Sequence, residues 1–167
     1  MADKPHLNHI APDGSARMAD VGAKTAGPRR AVAEAWVDVG TDVAALIRET
    51  GGVAKGNVLE TARLAGVMAA KRTAELIPMC HVIPVDAVEV DATVVGDRVR
   101  LVATVRTEAK TGVEMEAMTA AAVAALTVYD MVKSAGKGVA IGPVRLLEKT
   151  GGKSGRWARE EPDDGAN

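Results

Sequence analysis

Aromatic side chains are nearly missing from this chain: 167 residues contain no Phe, one Tyr and two Trp. Almost nothing is left for the base-stacking platform on which single-stranded nucleic acid is held. A core must then be assembled from Ala, Val, Leu, Ile and Met, whose small contact areas oblige the packed elements to approach closely. An excess of one charge sign is missing too, with 21 Lys and Arg against 22 Asp and Glu and a formal net charge of −1. Duplex binding needs clustered, uncompensated cations, so nucleic acid is not an expected partner. The single cysteine, Cys80, excludes an intramolecular disulfide framework and fits a reducing compartment. No run of 18 or more apolar residues occurs, so no membrane span is expected. The opening MADKPHLNHIAPDG carries no apolar secretory h-region. A cytoplasmic location is the resulting expectation. What the chain does have is 47% hydrophobic and 26% charged residues, the composition of an ordinary globular protein of one-domain length.

Along the chain, residues 1–28 read as an extended arm, 29–155 as a single domain and 156–167 as a polar tail without order. Apolar residues alternate from Ala31 to Val39, which predicts a strand. Gly40-Thr41 opens a short helix with Thr41 as N-cap, closed by Gly51-Gly52. A second helix starts at Asn57, with Glu60 in the reciprocal capping position, and runs to Ile77 before Pro78. Val88, Val90, Ala92 and Val94, then Val99, Leu101, Ala103 and Val105, alternate around Gly96-Asp97, a turn compatible with type II′. That turn pairs Val94 with Val99, Ala92 with Leu101, Val90 with Ala103 and Val88 with Val105. Turn and pattern agree on one register. A long helix follows from about Val113 to Ser134, then a strand from Val139 to Leu147. The order βαββαβ predicts an α+β fold of the ferredoxin-like kind, a four-stranded antiparallel sheet packed with helices, its first crossover helix split.

Several groups carry chemistry, each with a plainer alternative. Glu114 and Glu116 fall in the first turn of the long helix, where the dipole favours carboxylates. Asp130 and Lys133, spaced i, i+3, lie at its other end, where an acid opposes the dipole; they are either functional or a surface ion pair. At ~1.5 Å per residue, Glu116 and Asp130 are roughly 21 Å apart, so one site using both ends must be large or built from two chains. Met79-Cys80-His81, pinned between Pro78 and Pro84, suggests an acid–base His81, a nucleophile–base pair or a structural histidine. Adjacent Cys80 and His81 chelate one ion poorly and no second ligand pair follows, so no metal site is expected; His6 and His9 sit in the arm. Gly152-Lys153-Ser154 ends like a phosphate loop but has Leu147 where the first glycine belongs. It is either an anion-holding loop or a flexible one. Lys55 stands just before the Asn57 helix start, a place that favours anions.

Taken together, these segments resemble one family. They are Lys55-Gly56-Asn57-Val58-Leu59, Lys71-Arg72-Thr73, Leu76-Ile77-Pro78-Met79-Cys80-His81, Lys110-Thr111-Gly112-Val113-Glu114-Met115-Glu116-Ala117-Met118-Thr119-Ala120, Tyr129-Asp130-Met131 and residues 144–155. The chain is similar to the cyclic pyranopterin monophosphate synthases, the C proteins of early molybdenum-cofactor synthesis, from about Leu7 to Gly155. The resemblance implies a lyase that converts 3′,8-cyclo-7,8-dihydroguanosine 5′-triphosphate to cyclic pyranopterin monophosphate and pyrophosphate. It implies a ferredoxin-like homohexamer, a trimer of dimers with sites between subunits, and no cofactor, although Mg²⁺ could accompany the triphosphate. It assigns Asp130 as the acid–base group with Lys133, Lys55 and His81 beside it. Met79, Cys80, His81, Glu114, Met115 and Glu116 would contact the substrate, with Lys24, Arg29, Lys149 and Lys153 on the triphosphate side. Such proton-moving steps call for several acid–base groups, including a lysine whose pKa is lowered by other cations or by desolvation. Glu114 and Glu116 would accept from the guanine N–H edge. The chain departs from the family pattern at Val82, where proline is common, at Asn57 for aspartate and at Val132 for cysteine. A different class remains open: a non-catalytic nucleotide-binding or assembly module on the same scaffold.

Overall fold

The structure is a computed structural model that describes residues 10–11, 13–153 and 155–160. His6, His9, Ser154 and the end of the expected tail, 161–167, lie outside the described residues.

The alternation of small residues forms β1 (Gly27–Asp38), whose Ala31, Ala33, Ala35 and Val37 are fully buried on one face. The strand begins ahead of that alternation, inside the expected arm, because its ladder to a neighbouring strand runs on as far as Gly27 opposite Ala109. Gly40, at φ 76°, takes the cap position of α1 (Thr41–Thr50), so Thr41 is the first helical residue rather than the cap. At the other end Gly51 is left-handed and donates its N–H to Ile47 O at 2.8 Å. A small hairpin of β2 (Gly52–Val53) and β3 (Gly56–Asn57) follows, too short for any alternation to announce it. Only glycine fits at 52, where a Cβ would lie 2.2 Å from Gly56 O.

As expected, Asn57 caps α2 (Val58–Ala70), its Oδ1 accepting from Glu60 N at 3.0 Å. The expected helix to Ile77 is broken, however, and resumes as α3 (Thr73–Leu76). The buried Thr73 hydroxyl donates to the Ala69 and Ala70 carbonyls at 3.3 and 3.1 Å, and Arg72 N turns back to Ala69 O. Side-chain capture of these carbonyls competes with the helical ladder and ends it there.

The hairpin of β4 (Ala87–Val95) and β5 (Arg98–Ala109) has the register its turn requires: Val94 faces Val99, Ala92 Leu101, Val90 Ala103 and Val88 Val105. Gly96 alone in that turn has positive φ, 60°, as type II′ demands and type I′ does not. The chain continues through α4 (Glu114–Val132), β6 (Ala140–Thr150) and β7 (Trp157–Ala158). The main sheet is antiparallel, in the order β4-β5-β1-β6-β7. It therefore has five strands and not the expected four, and β2 with β3 makes a second, two-stranded sheet. The fifth strand lies in the expected tail: Trp157 and Ala158 pair with Lys149 and Glu148, and Arg159 N extends the contact to Leu147 O at 2.7 Å.

Scarcity of aromatics sets how closely the helices approach. Ala117, Ala120, Ala121, Ala124 and Ala125 of α4 are fully buried, and α2 meets them with Ala62 and Gly66. A Cβ on Gly66 would come 3.0 Å from both Ala120 O and Val90 Cγ2, so backbone meets backbone where larger residues would hold the helices apart. Among the described residues α4 is the one helix long and apolar enough to cross a membrane. Its alanine face packs against α2 and the sheet, and 56% of its apolar stretch is buried there, as in a core helix. On the opposite face of β1, Glu34 is 1% exposed and accepts from Arg100 Nε at 2.9 Å and Arg145 Nε at 2.7 Å.

Candidate active site

The Asp130 carboxylate sits at the last turn of α4, where unpaired carbonyls already present negative charge. Two ammonium groups answer it. Lys133, the C-cap residue, places Nζ 2.6 Å from Asp130 Oδ1. Lys55, in the turn between β2 and β3, donates to the Asp130 carbonyl at 2.8 Å and lies 3.4 Å from Oδ2. The unforeseen hairpin is thus what carries Lys55 across 75 residues of sequence to the end of α4. Hydrogen bonds from Lys133 and then Lys55 hold the Asp130 carboxyl below its ordinary range, and Asp130 in turn pushes the Lys133 ammonium up. Lys133 is thus not a lysine of the lowered kind that proton shuttling calls for, because a carboxylate faces it instead of another cation. All three side chains are broadly exposed, Asp130 to 60%.

A second constellation lies at the other end of α4, around a cavity of about 380 Å³. Its walls include Met79, Cys80 and His81 from the segment after α3, and Glu114, Met115 and Glu116 from the first turn of α4. Lys24, with Ala19 and Val21, closes one side. His81 Nε2 is 2.8 Å from the Ala19 carbonyl; a carbonyl only accepts, so the proton of that bond is on Nε2 and Nδ1 is left for other partners. Burial, and then the Glu116 charge, push the Cys80 thiol up. With His81 turned to Ala19 O and the thiol kept protonated, the nucleophile–base reading of Cys80-His81 loses its geometry.

The two glutamates are unlike. Glu114 is paired to Lys149 Nζ at 2.9 Å. Glu116 is 4% exposed, and burial followed by the Glu114 charge raises its carboxyl pKa although its own backbone N–H opposes this. The pair expected as two acceptors thus consists of one carboxylate compensated by Lys149 and one whose charged form burial disfavours.

Of the remaining cations, Arg29 leaves the start of β1 and donates to Ala109 O at 3.2 Å. The turn after β6 closes over it so tightly that a Cβ on Gly152 would lie 2.8 Å from Arg29 Nη1. Lys153, in that same turn, is exposed. Single-chain geometry therefore gathers the expected residues into two groups: Lys55, Asp130 and Lys133 at one end of α4, and Lys24, Met79, Cys80, His81, Glu114, Met115, Glu116 and Lys149 at the other. It does not bring them into one site. Among the described residues no three His, Cys, Asp or Glu side chains stand together as a metal cage. Sequence reasoning passed over Lys110, whose Nζ donates to Gly22 O at 2.8 Å; the residue lies within the Lys110–Ala120 motif but received no role there.

Residues 18–152 match the model of the MoaC family. The chain is 54% identical over 153 residues to a cyclic pyranopterin monophosphate synthase of Streptomyces avermitilis, covering 92% of this chain and 89% of that one. It is 51% identical over 158 residues to the synthase of the same name from Bordetella avium, covering 93% and 97%. With molybdenum cofactor biosynthesis protein 1 of Drosophila melanogaster it shares 53% identity over 161 residues, 95% of this chain but 28% of that longer protein. With a family model matched across α4 and both of its charged ends, and relatives more than half identical over nearly the whole chain, the chain belongs to the MoaC family.

Proposed function

We propose that this chain is a lyase of molybdenum-cofactor biosynthesis, converting 3′,8-cyclo-7,8-dihydroguanosine 5′-triphosphate to cyclic pyranopterin monophosphate with release of pyrophosphate. The observation that carries the reading is the Asp130 carboxylate held between Lys55 and Lys133 at the end of α4, in a chain so similar to synthases of that name. At neutral pH the cluster holds an ionised acceptor beside a protonated donor, as ring opening and closure require. The lysines offset the repulsion Asp130 would exert on a triphosphate and stabilise charge leaving with pyrophosphate. His81 and Glu116 supply further proton-carrying positions, Met79, Cys80, Glu114 and Met115 line the pocket for the base, and Lys24, Arg29, Lys149 and Lys153 attract the phosphates.

The two ends of α4 meet on one substrate only if the site is shared between copies, since roughly 21 Å separates Glu116 from Asp130 along the helix. A homohexamer, a trimer of dimers with active sites between subunits, answers that need. Leu64 and Leu126, exposed to 63% and 57% on α2 and α4, offer apolar surface for such contacts. We read one catalytic unit in the cytoplasm, the expected 29–155 extended by the start of β1 at Gly27 and by β7. The order β4-β5-β1-β6, with helices crossing between β1 and β4 and between β5 and β6, supports a ferredoxin-like βαββαβ core carrying β7 and the β2–β3 hairpin as additions. Incubation of the purified chain with the cyclised GTP intermediate is expected to release pyrophosphate and the cyclic phosphate product. No release, under conditions where the Streptomyces avermitilis synthase turns over, overturns the assignment.

A further inference from the structure

Residues 17–26 lead from the Ile10–Ala16 bridge to β1 without regular structure, yet they form one wall of the cavity and carry Lys24 to it. Within the segment, Asp20 Oδ1 accepts from Gly22 N at 2.7 Å and Lys24 N turns back to Val21 O at 3.1 Å. These bonds shape it but do not tie it to the body of the protein. From outside the strap, His81 Nε2 holds Ala19 O and Lys110 Nζ holds Gly22 O, each at 2.8 Å. One comes from the Pro78–Pro84 segment and the other from the residue after β5, so two separate elements pin the strap.

We propose that Lys110 is a positioning residue that latches the 17–26 strap and thereby sets Lys24 against the phosphate-bearing end of the substrate. The inference rests on the cavity being the substrate site, as proposed above. Lys110 itself is absent from the cavity lining; its ammonium is spent on a backbone carbonyl 88 residues away in sequence. A cation used in this way raises affinity by favouring one strap conformation, since the unlatched population lowers the apparent affinity in proportion to its share. Its loss therefore weakens substrate binding and leaves the proton-transfer groups at the far end of α4 untouched.

The experiment compares the full-length chain with Lys110→Ala, Lys110→Arg, Lys24→Ala and the Lys24→Ala/Lys110→Ala double variant. Amide hydrogen exchange over residues 19–24 is read without substrate, so its outcome stands whether or not the chain turns over. Faster exchange there in Lys110→Ala, with unchanged protection in β1 and β5, is expected, as is recovery in Lys110→Arg, which keeps an N–H donor. In turnover assays Lys110→Ala is expected to raise KM about fivefold, roughly 1 kcal/mol at ~1.4 kcal/mol per tenfold, with kcat nearly unchanged. The double variant is expected to be no worse in KM than Lys24→Ala alone, because both changes act through Lys24. Unchanged exchange over 19–24 overturns the latch. Additive KM effects overturn its action through Lys24. A wild-type chain without turnover overturns the proposed function and leaves the exchange result to decide the latch.

Discussion

Glu34 and Asp130 are each gripped by two cations, and they lead opposite lives. Glu34, in the middle of β1, is 1% exposed and lies between Arg100 of β5 and Arg145 of β6, with contacts of 2.7–2.9 Å. Asp130, at the end of α4, is 60% exposed and held by Lys133 from its own helix and Lys55 from a short turn. In the first triad the cations come from the two strands that flank β1, their planar guanidinium groups suit a carboxylate, and the carboxylate itself is shut off from water. In the second they are flexible ammonium groups that a competing anion can reach. A buried, fully paired carboxylate fastens the sheet, whereas an exposed one with mobile partners contributes little to stability and stays available to a substrate. Charge count alone does not separate the two; burial and partner geometry do.

The sharpest way to break this contrast is to remove each carboxylate and read both turnover and melting. Asp130→Ala and Lys133→Ala are each expected to lower turnover by at least about a hundredfold, the usual reach of acid–base groups, with a melting temperature close to wild type. Wild-type rates in both would remove the cluster from the chemistry. Glu34→Ala is expected to do the reverse, costing about 2 kcal/mol in denaturant unfolding while the remaining folded protein still turns over. That is below the ~3–5 kcal/mol of breaking a fully buried pair, because Arg100 and Arg145 keep more than a third of their side-chain surface in water. A Glu34 variant as stable as wild type would mean that the clamp fastens nothing.

These triads also mark what was legible in the sequence. Asp130 and Lys133 were visible as an i, i+3 pair, whereas Lys55 was set beside them only by the family resemblance, because its closure depends on a hairpin of two-residue strands below the length at which alternation can be read. Glu34 was invisible. In an alternating strand a glutamate opposite the apolar face reads as solvent-facing, and its burial depends on arginines brought beside it by strands that pair only in the folded sheet. The β4–β5 hairpin was legible down to its register because turn chemistry and hydrophobic period constrain the same pairs. The break at Thr73 was not, since a side-chain hydroxyl bonding to Ala69 and Ala70 decides it. Nor was β7, two residues of a polar segment recruited by the edge of β6.

A smaller effect separates the triads by pH. Burial alone would raise the Glu34 carboxyl, but hydrogen bonds from Arg145 and then Arg100 outweigh it and hold the pKa below the usual glutamate value. A depressed folded pKa contributes stability that is fully present above the unfolded value of about 4.3 and is lost as pH falls through the folded one. The stability gap between wild type and Glu34→Gln is therefore expected to be widest near neutrality and to close below about pH 4. Asp130 is shifted in the same direction, yet it is solvated, so Asp130→Asn is expected to follow the wild-type curve throughout. A gap for Asp130→Asn as wide as that for Glu34→Gln would erase the distinction.

Glu116 completes the comparison as a buried carboxylate without a cationic clamp. Burial, then Glu114, raise its pKa, so ionisation is easier in the unfolded chain and each step up in pH through the unfolded value disfavours the folded state. Glu116→Gln keeps the size and a hydrogen-donating group while removing the charge. It is expected to stabilise the chain at neutral pH, by no more than about 1 kcal/mol, while impairing turnover, the trade that a site held in an unfavourable protonation environment makes against the fold. The gain should shrink as pH falls through the unfolded value of about 4.3 and vanish below it, where the wild-type carboxyl becomes protonated in both states. If Glu116→Gln is instead less stable than wild type at neutral pH, the buried carboxylate is held in its charged form. Glu116 would then belong with Glu34 as a fastening, and Asp130 would be left as the chain's only carboxylate of the catalytic kind in this comparison.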